Sequence, residues 1–355
     1  MVYIKMEFLK DGIKKILFVG LGGAGQRHLR IFNELLPDDT VYTAYRSTGK
    51  TPVLNPNFSV DEEGSLEERY GVKMVDSLET GLSNNPDLIV ISTPTSLHYE
   101  TVLQAAESGV DIFIEKPFSH SLDGFDCFQE TVKTKGLRFF VSYQRRFHPY
   151  LSKIKKIISE YELGKIISVA ISVGSYVPDW HPYEDFRELY ACRKDLGGGV
   201  LLTESHEIDL CYWYFGRPLS VFCSGGNRSD VRLDVEDTVH LLLKYEEFDV
   251  QLNLSFMQRP NRRDIFISGS DGSVEWNAKG NRFALEKFKS GKKEPLADPN
   301  YTNDAMFRSQ AEYFINSFTI SDRSYLDASK SSLLIVEAAR ESMASGKIIT
   351  IGQNI

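Results

Sequence analysis

The chemistry available to this chain of 355 residues begins with three spaced glycines and continues at a lysine and a histidine. Gly20, Gly22 and Gly25 form G-x-G-x-x-G behind the apolar run Lys15–Val19 and ahead of a helical pattern. In that context each glycine has a physical task. Gly20 permits a tight turn, Gly22 lets a pyrophosphate approach the backbone, and Gly25 lets helix and strand pack closely. The helix N-terminus, with Gly23 and Ala24 in its first turn, then presents free N–H groups and partial positive charge to phosphates. Lys116 follows an apolar run, Val110–Glu115, at the kind of strand end where ligands gather in open α/β sheets. An ammonium beside an alcohol can orient it and stabilise charge on its oxygen. His206 is the best general acid/base, because an unperturbed imidazole titrates near neutral pH. Asp209 lies one helical turn later on the same face. The pair can therefore address one molecule, His206 at a reacting oxygen and Asp209 at a neighbouring hydroxyl.

Further residues could select the ligands. An acid about 20 residues beyond the glycines would accept bonds from the ribose 2′-hydroxyl of NAD. Tyr45-Arg46-Ser47-Thr48 stands there instead. Arg46, with Ser47 and Thr48 donating, suits a 2′-phosphate, which favours NADP over NAD. In Tyr143–Pro149, Gln144 or Arg146 is placed to meet cofactor or substrate. Trp180 and His181 offer rings to a sugar, and Arg193 a cation to a carboxylate or phosphate. A packed aromatic cluster under a loop would account for the same residues equally well.

Positioning these groups requires two kinds of architecture. Up to about residue 146, short apolar runs alternate with helical patterns, the signature of βαβ units and a parallel sheet. Strands are expected at Thr40–Tyr45, Lys73–Val75, Leu88–Ser92, Val110–Glu115 and Phe139–Tyr143. Helices are expected at Leu97–Ser108, capped by Ser96, and at Leu122–Lys135. Ser47–Arg69 reads as a long polar excursion. Beyond residue 146 strands follow one another with few helices between. Val239–Tyr245, Val250–Phe256, Ile265–Gly269, Ser273–Asn277 and Arg282–Lys287 show the alternation of half-buried strands. Helices are expected at Tyr150–Glu160, Leu202–Phe215, Asp304–Phe318 and Ala328–Ser345. The fold class is therefore α/β. An N-terminal Rossmann dinucleotide-binding domain (residues 13–146) precedes a C-terminal α+β domain (147–355) built on a large, mainly antiparallel sheet.

With 41 basic and 49 acidic residues the formal charge is −8, which argues against nucleic acid or an anionic membrane as the main partner. No apolar run reaches the length of a membrane span, and the first twelve residues lack a secretory core. The four cysteines (Cys127, Cys192, Cys211, Cys223) show no C-x-x-C spacing, so reduced thiols, no metal site and a cytoplasmic setting are expected.

The chain resembles the Gfo/Idh/MocA oxidoreductases, the glucose–fructose oxidoreductase and inositol dehydrogenase family. The resemblance rests on four stretches in order. They are the glycine loop, Ser92-Thr93-Pro94-Thr95-Ser96-Leu97-His98, Glu115-Lys116-Pro117, and Gly197-Gly198-Gly199 leading to His206-Glu207-Ile208-Asp209. It implies an NAD- or NADP-holding Rossmann domain and a sheet domain that carries substrate and often an oligomer interface; the apolar strands of that sheet, with few helices to cover them, lead to the expectation of a homodimer or tetramer. It also implies that Thr93, Pro94 and His98 line the nicotinamide ribose, that Glu115 belongs to the cofactor site, that Lys116 is catalytic and that His206 takes the proton. The aspartate usual one turn before the histidine is missing; Leu202 and Thr203 stand there, with Glu204 the nearest acid. The implied activity is hydride transfer between a nicotinamide and a hydroxyl or keto group of a sugar, polyol or sugar derivative. Two other readings are a nucleotide-sensing protein without turnover, and a lyase or glycosidase working through a keto-sugar on bound NAD.

Overall fold

Five strands rich in fully buried residues organise the first of two compact units. The computed structural model describes residues 12–46, 52–56, 59–61, 64–180 and 184–352. One unit comprises the residues up to Tyr143 together with Phe307–Asp327, the other Gln144–Met306 and the chain from Ala328 onward.

In the first unit, β1 (Lys15–Val19), β2 (Val41–Tyr45), β3 (Lys73–Met74), β4 (Leu88–Ile91), β5 (Asp111–Glu115) and β6 (Phe139–Ser142) form one sheet. Their order is β3-β2-β1-β4-β5-β6, and every pairing is parallel. Continuous apolar runs such as Leu88–Ile91 are buried at every residue because a parallel sheet is covered on both faces. Strand order reverses between β1 and β4, the switch point where such sheets bind ligands. Helix α1 (Gly23–Leu35) follows β1, α2 (His98–Glu107) follows β4, and α3 (Phe125–Lys135) follows β5.

Some local expectations need correction. A 3-10 turn, Thr95–Leu97, precedes α2, and no side chain caps that helix, so Ser96 is not its cap. The long excursion after β2 has local structure among its described residues. It holds the hairpin Val53–Leu54 with Val60–Asp61 and a short helix, Leu66–Tyr70, started by a Ser65/Glu68 capping box. Residues 307–327, expected in the second domain, fall within the first unit. Their aromatic residues explain it: Phe314, Phe318 and Tyr325 pack on Phe140, with centroids 5.6, 5.3 and 4.1 Å away.

The second unit is built on a nine-stranded sheet. Its strands are β7 (Ile166–Tyr176), β8 (Ser220–Gly226), β9 (Thr238–Lys244), β10 (Asp249–Ser255), β11 (Met257–Gly269), β12 (Gly272–Asn277), β13 (Arg282–Lys287), β14 (Lys292–Ala297) and β15 (Ile349–Thr350). The order is β14-β13-β12-β11-β7-β10-β9-β8-β15. Only β7–β10 pair in parallel; the rest of the sheet is antiparallel. Alternate residues face the core, as in β9, where Val239, Leu241 and Leu243 are buried and His240 and Leu242 exposed. Phe222 and Leu242 stand opposite each other on the exposed face. Helices α4 (Pro149–Ser159), α5 (Val200–Thr203) and α6 (Ser205–Phe215) belong to this unit. The expected helix Leu202–Phe215 is thus two pieces, separated at Glu204, where φ is −93° and ψ 28°.

Candidate active site

The glycine loop bears out its spacing in atomic terms. Gly20 sits at φ +89°, donates its N–H to Tyr45 O at 3.0 Å, and leaves no room for a Cβ beside the Ser92 carbonyl. A Cβ on Gly25 would strike the Gly20 carbonyl oxygen, so the helix can approach the strand only without one. Gly22, the N-cap of α1, is different: a Cβ there would meet nothing within 4 Å. Packing therefore does not demand glycine at that position, and the space beside it suits a ligand's phosphates. Across the switch point Thr93 follows β4, and its buried Oγ1 has no hydrogen-bond partner. An open cradle and an orphaned hydroxyl fit a bound dinucleotide.

The two loops beyond Thr93 and Lys116 are tied together by His98. Its Nδ1 lies 2.8 Å from Pro117 O and its Nε2 2.8 Å from Thr93 O, and burial pushes its pKa down. His98 thus lies between the strand ends, and as a neutral ring it donates to one of these two carbonyls. Glu115 is likewise engaged inside the fold. His28 Nε2 lies 2.6 Å from Glu115 Oε1, and Ser142 Oγ donates to the same oxygen at 3.1 Å. Burial would raise the Glu115 carboxyl, but His28, Lys116 and Ser142 together hold it below its ordinary value. The contribution of Glu115 to a cofactor site is the anchoring of β5 to α1, immediately before half-buried Lys116. Arg46 ends β2 at the expected selector position, while Ser47 lies outside the described residues.

In the second unit the Gly197-Gly198-Gly199 run has a mechanical cause. Gly197 is at φ +74° and Gly199 at φ +103°, and a Cβ on Gly198 would strike the carbonyl oxygens of Tyr190 and Ala191. Only this turn delivers the chain into α5 and α6. His206 is 5% exposed in the first turn of α6, and Gln144 Nε2 lies 3.1 Å from its Nε2. Gln144, expected to meet cofactor or substrate, is therefore a partner of the histidine. Asp209 is also reassigned. Arg146 Nε and the outer nitrogen Nη2 reach its two oxygens at 2.9 and 2.6 Å, and Asp209 is 1% exposed. A carboxylate so forked and buried positions Arg146 rather than offering itself to a substrate hydroxyl. Glu204, the nearest acid before His206, receives Arg263 at 2.5 Å. Arg263 also lies 3.3 Å from Glu207, and Arg145 3.8 Å from the same carboxylate oxygen.

The family model described as an oxidoreductase family with an NAD-binding Rossmann fold matches residues 14–143, and the Gfo/Idh/MocA C-terminal domain model matches residues 151–275. The chain belongs to the Gfo/Idh/MocA oxidoreductase family. Among its relatives, levoglucosan dehydrogenase from Pseudarthrobacter phenanthrenivorans is 26% identical over 238 residues, 59% of this chain and 60% of that protein. The NAD(+)-dependent scyllo-inositol 2-dehydrogenase of Bacillus subtilis is 31% identical over 164 residues, covering 46% and 45%. The chain thus spans less than two thirds of these two relatives. A solved levoglucosan dehydrogenase in complex with NADH and levoglucosan superposes with a TM-score of 0.78 at 18% identity, over 96% of this chain and 99% of that one; at that identity the likeness shows the fold.

Measured against the family pattern, the remaining expected substrate residues lie elsewhere or are otherwise occupied. Arg193 is forked by Asp195 at 3.1 and 2.7 Å and reached by Glu188 at 3.1 Å, so an incoming anion would have to displace carboxylates. Trp180 donates its indole N–H to Ser175 Oγ at 3.0 Å and stands edge-on to Phe256, which is the packed-cluster arrangement. His181 lies outside the described residues. Cys192 is buried and its thiol is pushed up to about 11 by burial first and Asp234 second, so it is not a nucleophile at neutral pH. Arg145 and Arg263 were passed over in the sequence although they touch Glu207, the neighbour of His206. Arg145 stood within a stretch already singled out, but β11 carried no signal for Arg263.

Proposed function

We propose that this chain is an NAD(P)-dependent oxidoreductase that transfers a hydride between a nicotinamide and a hydroxyl or keto group of a sugar, polyol or sugar derivative. The observation that carries it is the Gly22 position, glycine where the fold has no steric need of it, at the N-terminus of α1 and the sheet's switch point. Gly22, Gly23 and Ala24 would hold the pyrophosphate through backbone N–H groups, with Gly20 making the turn beneath it, and Thr93 the ribose end. Bound there, the nicotinamide supplies the two-electron acceptor or donor. Lys116 orients the substrate oxygen and stabilises its developing negative charge, and His206 takes the hydroxyl proton as the C–H bond is broken. In the reverse direction the same residue returns the proton.

Two finer assignments belong to this reading. Arg46 in place of an acid favours NADP. The exposed apolar residues Phe222, Leu242 and Phe266 on the open face of the nine-stranded sheet favour a homodimer or tetramer through that face, readable as mass by light scattering.

The function is tested by following nicotinamide absorbance across a panel of sugars, polyols and their derivatives, with wild type and Lys116→Met compared. Turnover by wild type and its loss in Lys116→Met, with cofactor affinity within about twofold, is the expected result. Cofactor binding without turnover of any panel member, or an active Lys116→Met, would overturn it.

A further inference from the structure

The second unit carries an open cavity of ≈ 670 Å³ on its sheet. Its wall is aromatic: the His148 ring meets Tyr301 at 4.5 Å and Trp276 at 5.1 Å, both edge-on. The polar groups among these rings are oriented by their other bonds. Trp276 donates its indole N–H to Asn281 Oδ1 at 3.0 Å, which fixes the amide and leaves its NH₂ as the free end. Asn281 is 6% exposed and that Nδ2 has no partner. His148 Nδ1 accepts the Tyr150 backbone N–H at 3.2 Å, so the neutral ring carries its proton on Nε2. Burial first and Arg145 second hold His148 down to about 4, against the neighbouring Asn281 side chain, which raises it, so it is neutral at pH 7. Arg145 Nε and the Tyr301 hydroxyl are also buried without a hydrogen-bond partner.

These groups are donors, and no carboxylate is among the residues lining the cavity. Charge points the same way. Arg145 and Arg263 are balanced by Glu204 and Glu207. At the exposed rim Lys279 and Arg282 pair with no carboxylate among the described residues, and Arg282 Nε donates only to the Lys279 carbonyl. Unmet buried donors are costly until an acceptor reaches them. Rings at the wall suit the apolar face of a pyranose.

We propose that this cavity binds a sugar acid, its carboxylate received by Asn281, His148 and Arg145 and its ring laid against Trp276 and Tyr301. The cavity adjoins Glu207, the residue after His206, through Arg145 and Arg263, and so the proposal deepens the oxidoreductase reading by naming a substrate class. It rests on that reading only for turnover, not for binding.

Binding is measured by calorimetry on the full chain without cofactor, so that failure of the redox reading leaves it untouched. The probes are D-glucuronate, D-galacturonate and D-mannuronate, each against its neutral hexose, with glucose 6-phosphate as a second anion. At least one uronate is expected to bind tenfold or more tighter than its hexose. Asn281→Asp, which turns the buried donor into an acceptor, should weaken that uronate at least tenfold. The surface double variant Lys279→Glu/Arg282→Glu, which leaves the core untouched, should weaken it several-fold while the hexose is unaffected. Equal affinity for uronate and hexose, tighter binding of glucose 6-phosphate than of every uronate, or a rim variant that binds as wild type would each overturn the proposal.

Discussion

The side-chain amide of Gln144 ends 3.1 Å from Nε2 of His206, and its own Oε1 has no partner. The amide can donate to the lone pair of a neutral imidazole or, turned over, accept from an imidazolium. It therefore suits both states of a proton-transferring histidine, which a fixed charge would not.

From this follows a graded series, read on whichever substrate the proposed reaction proves to take. His206→Asn should lower kcat/KM by about 10²–10⁴ and remove the corresponding limb of its pH profile. Gln144→Leu removes one neutral hydrogen bond, worth about 0.5–1.5 kcal/mol, and should cost a few-fold to about tenfold. Gln144→Glu places a negative charge beside the ring and should move that limb to higher pH. An unchanged profile in both His206→Asn and Gln144→Glu would remove the histidine from the chemistry.

Gly22 and Gly25 separate ligand binding from folding. Gly22→Val points its side chain into open space, so the melting temperature should barely move while NAD(P) affinity falls by tenfold or more. Gly25→Ala forces a methyl against the Gly20 carbonyl oxygen and should destabilise by about 1–3 kcal/mol, the usual cost of overpacking. Thermal melts and calorimetry with both cofactors check the pair. A Gly22→Val protein that binds cofactor as wild type does would dismiss the cradle.

Arg46→Asp tests the nucleotide preference. If the guanidinium meets a 2′-phosphate, removing one or two charge-assisted bonds at about 1.5–3 kcal/mol each should weaken NADPH by tenfold or more and leave NADH nearly unchanged. Tighter binding of NADH than NADPH by the unsubstituted protein would refute the assignment.

Much of the fold was legible because local patterns agreed with tertiary burial. Leu88–Ile91 reads as a buried parallel strand and is one, and the glycine loop reads as a turn in which Gly20 and Gly25 are each needed for a separate steric reason. What escaped falls into physical classes. β14 contains Pro295 and alternates no apolar residues because it is an exposed edge, so nothing in Lys292–Ala297 marks it. β7 did carry the signal, Val169, Ile171 and Val173 inward, but among serines and a glycine it is a weak one. At the site, residue type revealed which groups could act, not which were already spoken for. Asp209, Arg193 and Glu115 have suitable charge, yet Arg146, Asp195 and His28 occupy them. Conversely, Asn281 looks like an ordinary turn asparagine after Gly280, and only its bond from Trp276 shows that its amide donors face a cavity.

His148 gives the last prediction, a pH dependence of stability whose sign can be worked out. Its pKa is held at about 4 in the folded chain, against 6.5 for an unperturbed imidazole, because burial and the nearby Arg145 charge penalise the cation. Above pH 6.5 both folded and unfolded states are neutral at this residue and it contributes no slope. Between 6.5 and about 4 the unfolded chain binds the proton and the folded chain does not, so stability is lost as pH falls. Below about 4 the folded state binds it too and the slope ends. The difference of roughly 2.5 units corresponds to at most about 3 kcal/mol. His148→Gln cannot titrate, so its denaturant-derived stability should fall less than that of the wild type between pH 7 and pH 4, by up to that amount. Parallel stability curves for the two proteins would mean that the ring titrates in the folded chain as it does in the unfolded one, and that burial and Arg145 do not penalise its cation.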